Sequence, residues 1–116
     1  MQPTYHFQKR MTQRGITYDM CQFTIDNGYI EGDKFVTTRK MVRKMVDNLN
    51  AHIKRLIRLR KKFKHFGVSR LIGKAVAKLI TQKNIALKVI AKGGVVVVVD
   101  NNSIITTYDV KSYKKY

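Results

Sequence analysis

Apolar residues recur with a helical period along most of this chain and turn strand-like only near its end. Phe7 and Met11, four apart, define one face of a short helix over residues 4–13. Thr4 is placed to cap it after Pro3, and Gly15 to end it. Thr17 caps a second helix, Tyr18–Asn27, whose apolar face comes from Met20, Cys21, Phe23, Thr24 and Ile25 and which stops at Gly28. Residues 29–36, with Gly32 and three charged side chains, read as a loop.

Thr37 or Thr38 then caps a long helix to about Phe66. Met41, Val42, Met45, Val46, Leu49, Ile53, Leu56 and Ile57 follow spacings of 1, 3 and 4, as a single buried stripe requires. Gly67 stops this helix, and Ser69 caps another to about Gln82, in which Leu71, Ile72, Ala75, Val76, Leu79 and Ile80 repeat the pattern. The two helices form a hairpin within residues 34–82.

The character changes beyond this point. Residues 85–91, 95–99 and 104–110 are strand-like, separated by Gly93-Gly94 and by Asp100-Asn101-Asn102, which tolerate the positive φ of hairpin turns. A three-stranded antiparallel meander is predicted. The five valines Val95 to Val99 lack polar alternation and so suit a central strand buried on both faces. Alternation in the last strand sets Ile104, Thr106 and Tyr108 on one face and Ile105, Thr107 and Asp109 on the other. The tail, residues 111–116, suits an edge strand or a mobile end. The fold class is α+β in a single domain: an N-terminal helix pair (1–33), a basic helical hairpin (34–82) and a small antiparallel sheet (83–116).

Charge adds a functional direction. The 116 residues include 24 Lys and Arg against seven Asp and Glu, a formal net charge of +17. Residues 39–65 hold eleven Lys or Arg and one acid, Asp47. Such a field destabilises the compact state by self-repulsion, so a polyanionic partner, nucleic acid first, is the simplest benefit that explains it. The phosphate contacts fall to Arg39, Lys40, Arg43, Lys54, Arg55, Arg58, Lys61, Lys62 and Lys64. A solvated helix face or an acidic protein partner fits the same charge. The run IKRLIRLRKKFKHF is also basic and amphipathic, but membrane association ranks last because the stripes of the two long helices can bury each other.

Several classes lose support. No apolar run approaches the roughly 20 residues of a membrane-spanning helix, and the N-terminus has no apolar signal-peptide core. Cys21 alone allows neither an intrachain disulfide nor a cysteine-based zinc site, so a cytoplasmic site of action is expected. The seven acids and His6, His52 and His65 show no metal-ligand spacing, and no Gly-rich phosphate loop is present, so no metal and no cofactor are expected. His52 and His65 read as structural or surface residues. What remains is a metal-free set, with His6, Arg10 and Arg14 at successive steps of four on the first helix and Thr106, Thr107 and Tyr108 on the last strand. RNA carries its own nucleophile, the 2′-OH. Cleavage therefore needs a proton acceptor, stabilisation of the phosphorane oxygens and help for the leaving oxygen, which a His, an Arg and a hydroxyl can supply. The same residues also fit a solvated helix face and ordinary strand propensity.

The segment from His6 to Thr17, HFQKRMTQRGIT, resembles the opening signature H-x-x-x-R-M-x-x-R-G-I-[ST] of a family of small bacterial and phage domains. That family is similar to the ribonuclease toxins grouped with barnase, EndoU, the tRNA-cleaving colicins and RelE. VVVVVDNNSIITTYDV resembles the family's closing hairpin, and the two matches cover about a third of the chain. The resemblance implies two N-terminal helices packed on an antiparallel sheet, with the active site on the concave sheet face beside the first helix. It implies His6 as general acid or base, Arg10 and Arg14 as phosphate ligands, the second equally a structural residue, and hydroxyls from Thr106 or Thr107 and from Tyr108. The implied activity is metal-independent cleavage of tRNA or another structured RNA, with an acidic immunity protein or antitoxin as partner and possible delivery from another cell as a toxin fragment. Residues 34–82 depart from the family, which has a short link where this chain has its hairpin. A non-catalytic nucleic-acid binder of phage or plasmid origin is the alternative.

Overall fold

A computed structural model describes residues 2–110; the tail, residues 111–116, for which an edge strand or a mobile end was expected, lies outside the described residues. The elements run β1 (Gln2–Pro3), α1 (Tyr5–Arg14), α2 (Tyr18–Asn27), β2 (Tyr29–Glu31), β3 (Lys34–Val36), α3 (Arg39–Lys62), α4 (Val68–Ala91), β4 (Val95–Asp100) and β5 (Ser103–Asp109). The fold is α+β, with helices packed on a mixed sheet of order β1-β5-β4-β3-β2.

Local chemistry sets the helix ends. Thr4, Thr17 and Thr38 each take extended backbone angles and accept a hydrogen bond from the amide three residues on, satisfying a donor that the first turn leaves free. Gly15 ends α1 in the left-handed conformation at φ 63°. Helix α4 begins without a side-chain cap, and Ser69, the expected cap, lies in its first turn.

Two expectations about the sheet are corrected. Residues 85–91, expected to be a strand, continue α4, because Ala86 and Val89, three apart, both face the core and are fully buried. Ile85, Ala86, Val89 and Ile90 form the core-facing stripe of a helix as long as α3, 24 residues each, and Leu87 is exposed. The vacant place beside β4 is filled by β3, from the segment expected to be a loop; Lys34, Phe35 and Val36 pair with Val98, Val97 and Val96. Residues 29–36 thus form a tight hairpin turning at Gly32, φ 62°. Strand β1 adds two residues parallel to β5 at the sheet edge, the location that tolerates Pro3.

The valine strand is central, as expected. Its odd positions, Val95, Val97 and Val99, join Phe7, Met20, Cys21, Val42, Val46, Ala86 and Val89 in the main core beneath the helices. Its even positions, Val96 and Val98, pack with Val36, Tyr108 and Val110 on the opposite face. Simple alternation fails once in β5. Val98 faces Thr106 while Val99 faces Ile104, so Ile105 is an extra residue and Ile104 swings to the helix side with Thr107.

The helical hairpin leaves and rejoins the sheet at one neck. The Thr37 amide donates to the Val95 carbonyl at 3.0 Å and the Val95 amide to Thr37 Oγ1 at 3.1 Å. Thr37 Oγ1 lies 3.3 Å from Thr24 Oγ1, so the buried hydroxyls of α2 and the neck satisfy each other. Beyond Val46 and Ala86 the two helices bury chiefly Ile53 and Ile72 between them. They extend as an arm that gives the molecule its 54 × 27 × 24 Å dimensions.

Candidate nucleic-acid interface

Charge is partitioned sharply between sheet and arm. From Arg39 to Lys92 the chain carries 17 Lys and Arg and one acid, Asp47, so this segment holds +16 of the net +17. Lys34 pairs with Asp33 at 2.8 Å on the β2–β3 hairpin, and within the arm the one acid is Asp47.

Helical geometry spreads these cations away from the apolar seam. With Val42, Val46 and Ile53 turned inward, Lys40 and Arg58 fall on the far side of α3 and Arg43 and Lys54 on its flank. Asp47, Asn50, Ala51, Lys54, Arg55 and Arg58 line an open basin of about 500 Å³ along this side. Arg39 and Lys40 sit at the base, where they line a depression with Lys92, Gly93 and one acid, Asp109. Lys61, Lys62 and Lys64 surround the far end of α3 and are exposed. The sequence-derived phosphate ligands of the hairpin therefore run from its base through the basin to its tip, whereas Arg10 and Arg14 lie on α1.

Helix α4 contributes cations that the sequence reading passed over. Arg70, Lys74 and Lys78 recur every four residues and are all exposed, a spacing that puts them in one row. That spacing was the available signal. Arg60 behaves differently: its guanidinium lies across α4 at Gly73, where a side-chain Cβ would meet it at 2.8 Å, and its Nε donates to Ser69 Oγ at 3.4 Å. It ties the two helices together near the tip.

The proposed catalytic residues divide into two groups. His6 and Arg10 share the solvent side of α1, with Arg10 Nε donating to His6 Nε2 at 3.4 Å and Arg10 Nη1 to Gln13 at 3.1 Å. In this arrangement His6 Nε2 accepts, leaving Nδ1 to offer a proton outward. Arg14 is turned to the protein instead. Its Nη1 donates to the Thr107 carbonyl at 2.7 Å and its guanidinium carbon stands 5.5 Å from the centre of the Tyr108 ring.

The strand hydroxyls do not converge. Thr107 is fully buried on the helix side; it donates to the Val96 carbonyl at 2.9 Å and accepts from Cys21 Sγ at 3.6 Å. Burial pushes the Cys21 thiol up to about 11, opposed by its bond to Thr107. Thr106 and Tyr108 face the other side of the sheet, in register with Val98 and Val96. Burial also holds the Tyr108 phenol above its usual value, with nearby Lys34 acting in the opposite direction.

Among the described residues no cluster of His, Cys, Asp or Glu could hold a metal ion, and no helix is long and apolar enough to cross a membrane. No family model matches the chain, and neither a curated protein nor a solved structure matches it.

Proposed function

We propose that this protein binds nucleic acid, gripping the phosphate backbone with the α3–α4 arm. The observation that carries this reading is the concentration of +16 on one projecting hairpin whose one acid is Asp47. A rigid rod with cations on its exposed sides suits a polyanion whose charges repeat along a groove, and each phosphate it neutralises releases condensed counterions. The test is anisotropy titration of a labelled RNA hairpin at salt concentrations from about 50 to 200 mM. Affinity should fall by orders of magnitude over that range. Binding that is absent, or insensitive to salt, removes the proposal.

A second reading, metal-independent cleavage of the bound RNA, rests on the exposed His6–Arg10 pair. The His6 imidazole can take the 2′-OH proton once Arg10 Nε releases its Nε2, and the Arg10 guanidinium beside it can hold a phosphorane oxygen, two of the three parts that the attack needs. In this reading the arm holds a structured RNA such as tRNA, and an acidic immunity protein or antitoxin would neutralise the activity. Discrete RNA fragments formed in excess EDTA by the wild type but not by His6→Ala would support it. Intact RNA with retained binding leaves the first reading alone.

A further inference from the structure

We propose that the tip of the arm is a base-stacking site and that the favoured ligand is nucleic acid with unpaired bases, an inference that rests on the nucleic-acid reading above. The turn between α3 and α4 carries Phe63 and Phe66, whose ring centres are 5.8 Å apart at 72°, an edge-to-face pair. Phe63 is half-buried and serves as the support. Phe66 is 63% exposed, and Leu71, one turn into α4, is 65% exposed.

The turn is held in place. The Phe63 amide donates to the Leu59 carbonyl at 3.1 Å, Phe66 to Phe63 at 2.9 Å and Ser69 to Phe66 at 3.0 Å. Phe66 is thus presented on a backbone already hydrogen-bonded, which lowers the ordering entropy of any contact it makes. Lys61, Lys62, Lys64 and Arg70, all exposed, lie within five residues of it in sequence, so a phosphate chain drawn to the tip brings its bases near the ring.

The class of base follows from what each partner can offer. In a duplex the faces of the bases are covered by their neighbours, and a convex tip meets only phosphates and groove edges. An unpaired base presents a free π-face, and its stacking on an aromatic ring is tolerant of sequence. Val68, 43% exposed, adds a third apolar residue at the tip, and those farther down α3 do not continue it into a broad face suited to a bilayer. Ile57 and Leu59, each 40% exposed, lie two residues apart and therefore about 200° apart around α3.

The test compares one RNA duplex carrying a single bulged 2-aminopurine with the same duplex fully paired, at one salt concentration. The wild type should prefer the bulged duplex and change the fluorescence of its probe. Phe66→Ala should lose roughly 5- to 100-fold in affinity for the bulged duplex and leave the paired duplex unchanged. Leu71→Ser, also at an exposed position, should show a smaller loss of the same kind. Equal wild-type affinity for both duplexes overturns the stacking site while leaving the arm's backbone binding intact; binding to neither overturns both readings. If Phe66→Ala instead loses only binding to phosphatidylserine vesicles, the tip serves a membrane surface and the proposal fails.

Discussion

Arg14 Nη1 and the Thr107 carbonyl oxygen meet at 2.7 Å across 93 residues of sequence, joining the first helix to the last strand. Among the described residues, β5 has no strand on its outer side beyond Ile104, because β1 pairs only with Ser103 and Ile104. The guanidinium takes the place of a neighbouring strand there.

Arg14→Ala should therefore lower the unfolding free energy by about 1–3 kcal/mol, measured by urea titration. Arg14→Lys keeps the charge but not the planar fork, and should remain destabilised. Recovery of full stability in the Lys variant would show that Arg14 acts by charge alone.

The burial of Cys21 makes stability depend on alkaline pH. The folded thiol is held at about 11 against 9.0 for an unperturbed one, so the unfolded chain gives up this proton first. The resulting stability is complete below about pH 9 and is lost as the pH rises towards 11. A loss on the order of 2–3 kcal/mol across that window should appear in the wild type and be absent from Cys21→Ala. At neutral pH a thiol reagent should label Cys21 only at the rate of unfolding.

Two glycines should respond in opposite ways to alanine. Gly94 has φ 106°, and a Cβ there would fall on the Thr37 carbonyl oxygen and within 2.7 Å of Val110. Gly94→Ala should lose about 3 kcal/mol or more, because neither the neck's backbone nor the turn can yield. Gly73 lies within a helix, and a Cβ there meets only the far end of the long Arg60 side chain, which can shift at the expense of its 3.4 Å bond to Ser69. Gly73→Ala should be neutral or gain up to about 1 kcal/mol. Thermal unfolding of the pair checks both signs.

Charge removal should separate binding from any chemistry. Replacing Lys61, Lys62 and Lys64 together with Ala should reduce the slope of log affinity against log salt by about 2, since each engaged cation contributes roughly 0.7–0.9. His6→Ala should leave that slope unchanged. A slope altered as much by His6→Ala as by the triple substitution would place the main contact on α1 instead of the arm.

Much of the fold was legible because its signals are local. Thr4, Thr17 and Thr38 cap helices through bonds spanning three residues, and the α3 stripe repeats over many turns. The missed features depend on partners distant in sequence. A three-residue strand such as β3 has no period to read, and it exists because β4 needs a neighbour. Residues 85–91 carry strand-like residues in a helical register, and only the core position of Ala86 and Val89 distinguishes the two. The bulge at Ile105 reversed the face of Ile104, and that shift lies in the pairing with β4. At the site, His6 and Arg10 met as their spacing required. The strand hydroxyls separated because neighbouring residues of a strand face opposite ways, with Thr107 inward and Thr106 and Tyr108 outward.

The neck at Thr37 and Val95 makes reach an independent variable of this architecture. Because the chain departs and returns through one hydrogen-bonded gate, the sheet does not register how far the helices travel before they turn. Excising about seven residues from each of α3 and α4 beyond Val46 and before Ala86 would draw the tip back by roughly 10 Å. The sheet's amide-exchange protection should persist while the span of nucleic acid protected from chemical probing contracts. The arm then behaves as a ruler, its graduations set by helix length and its zero point fixed at a threonine.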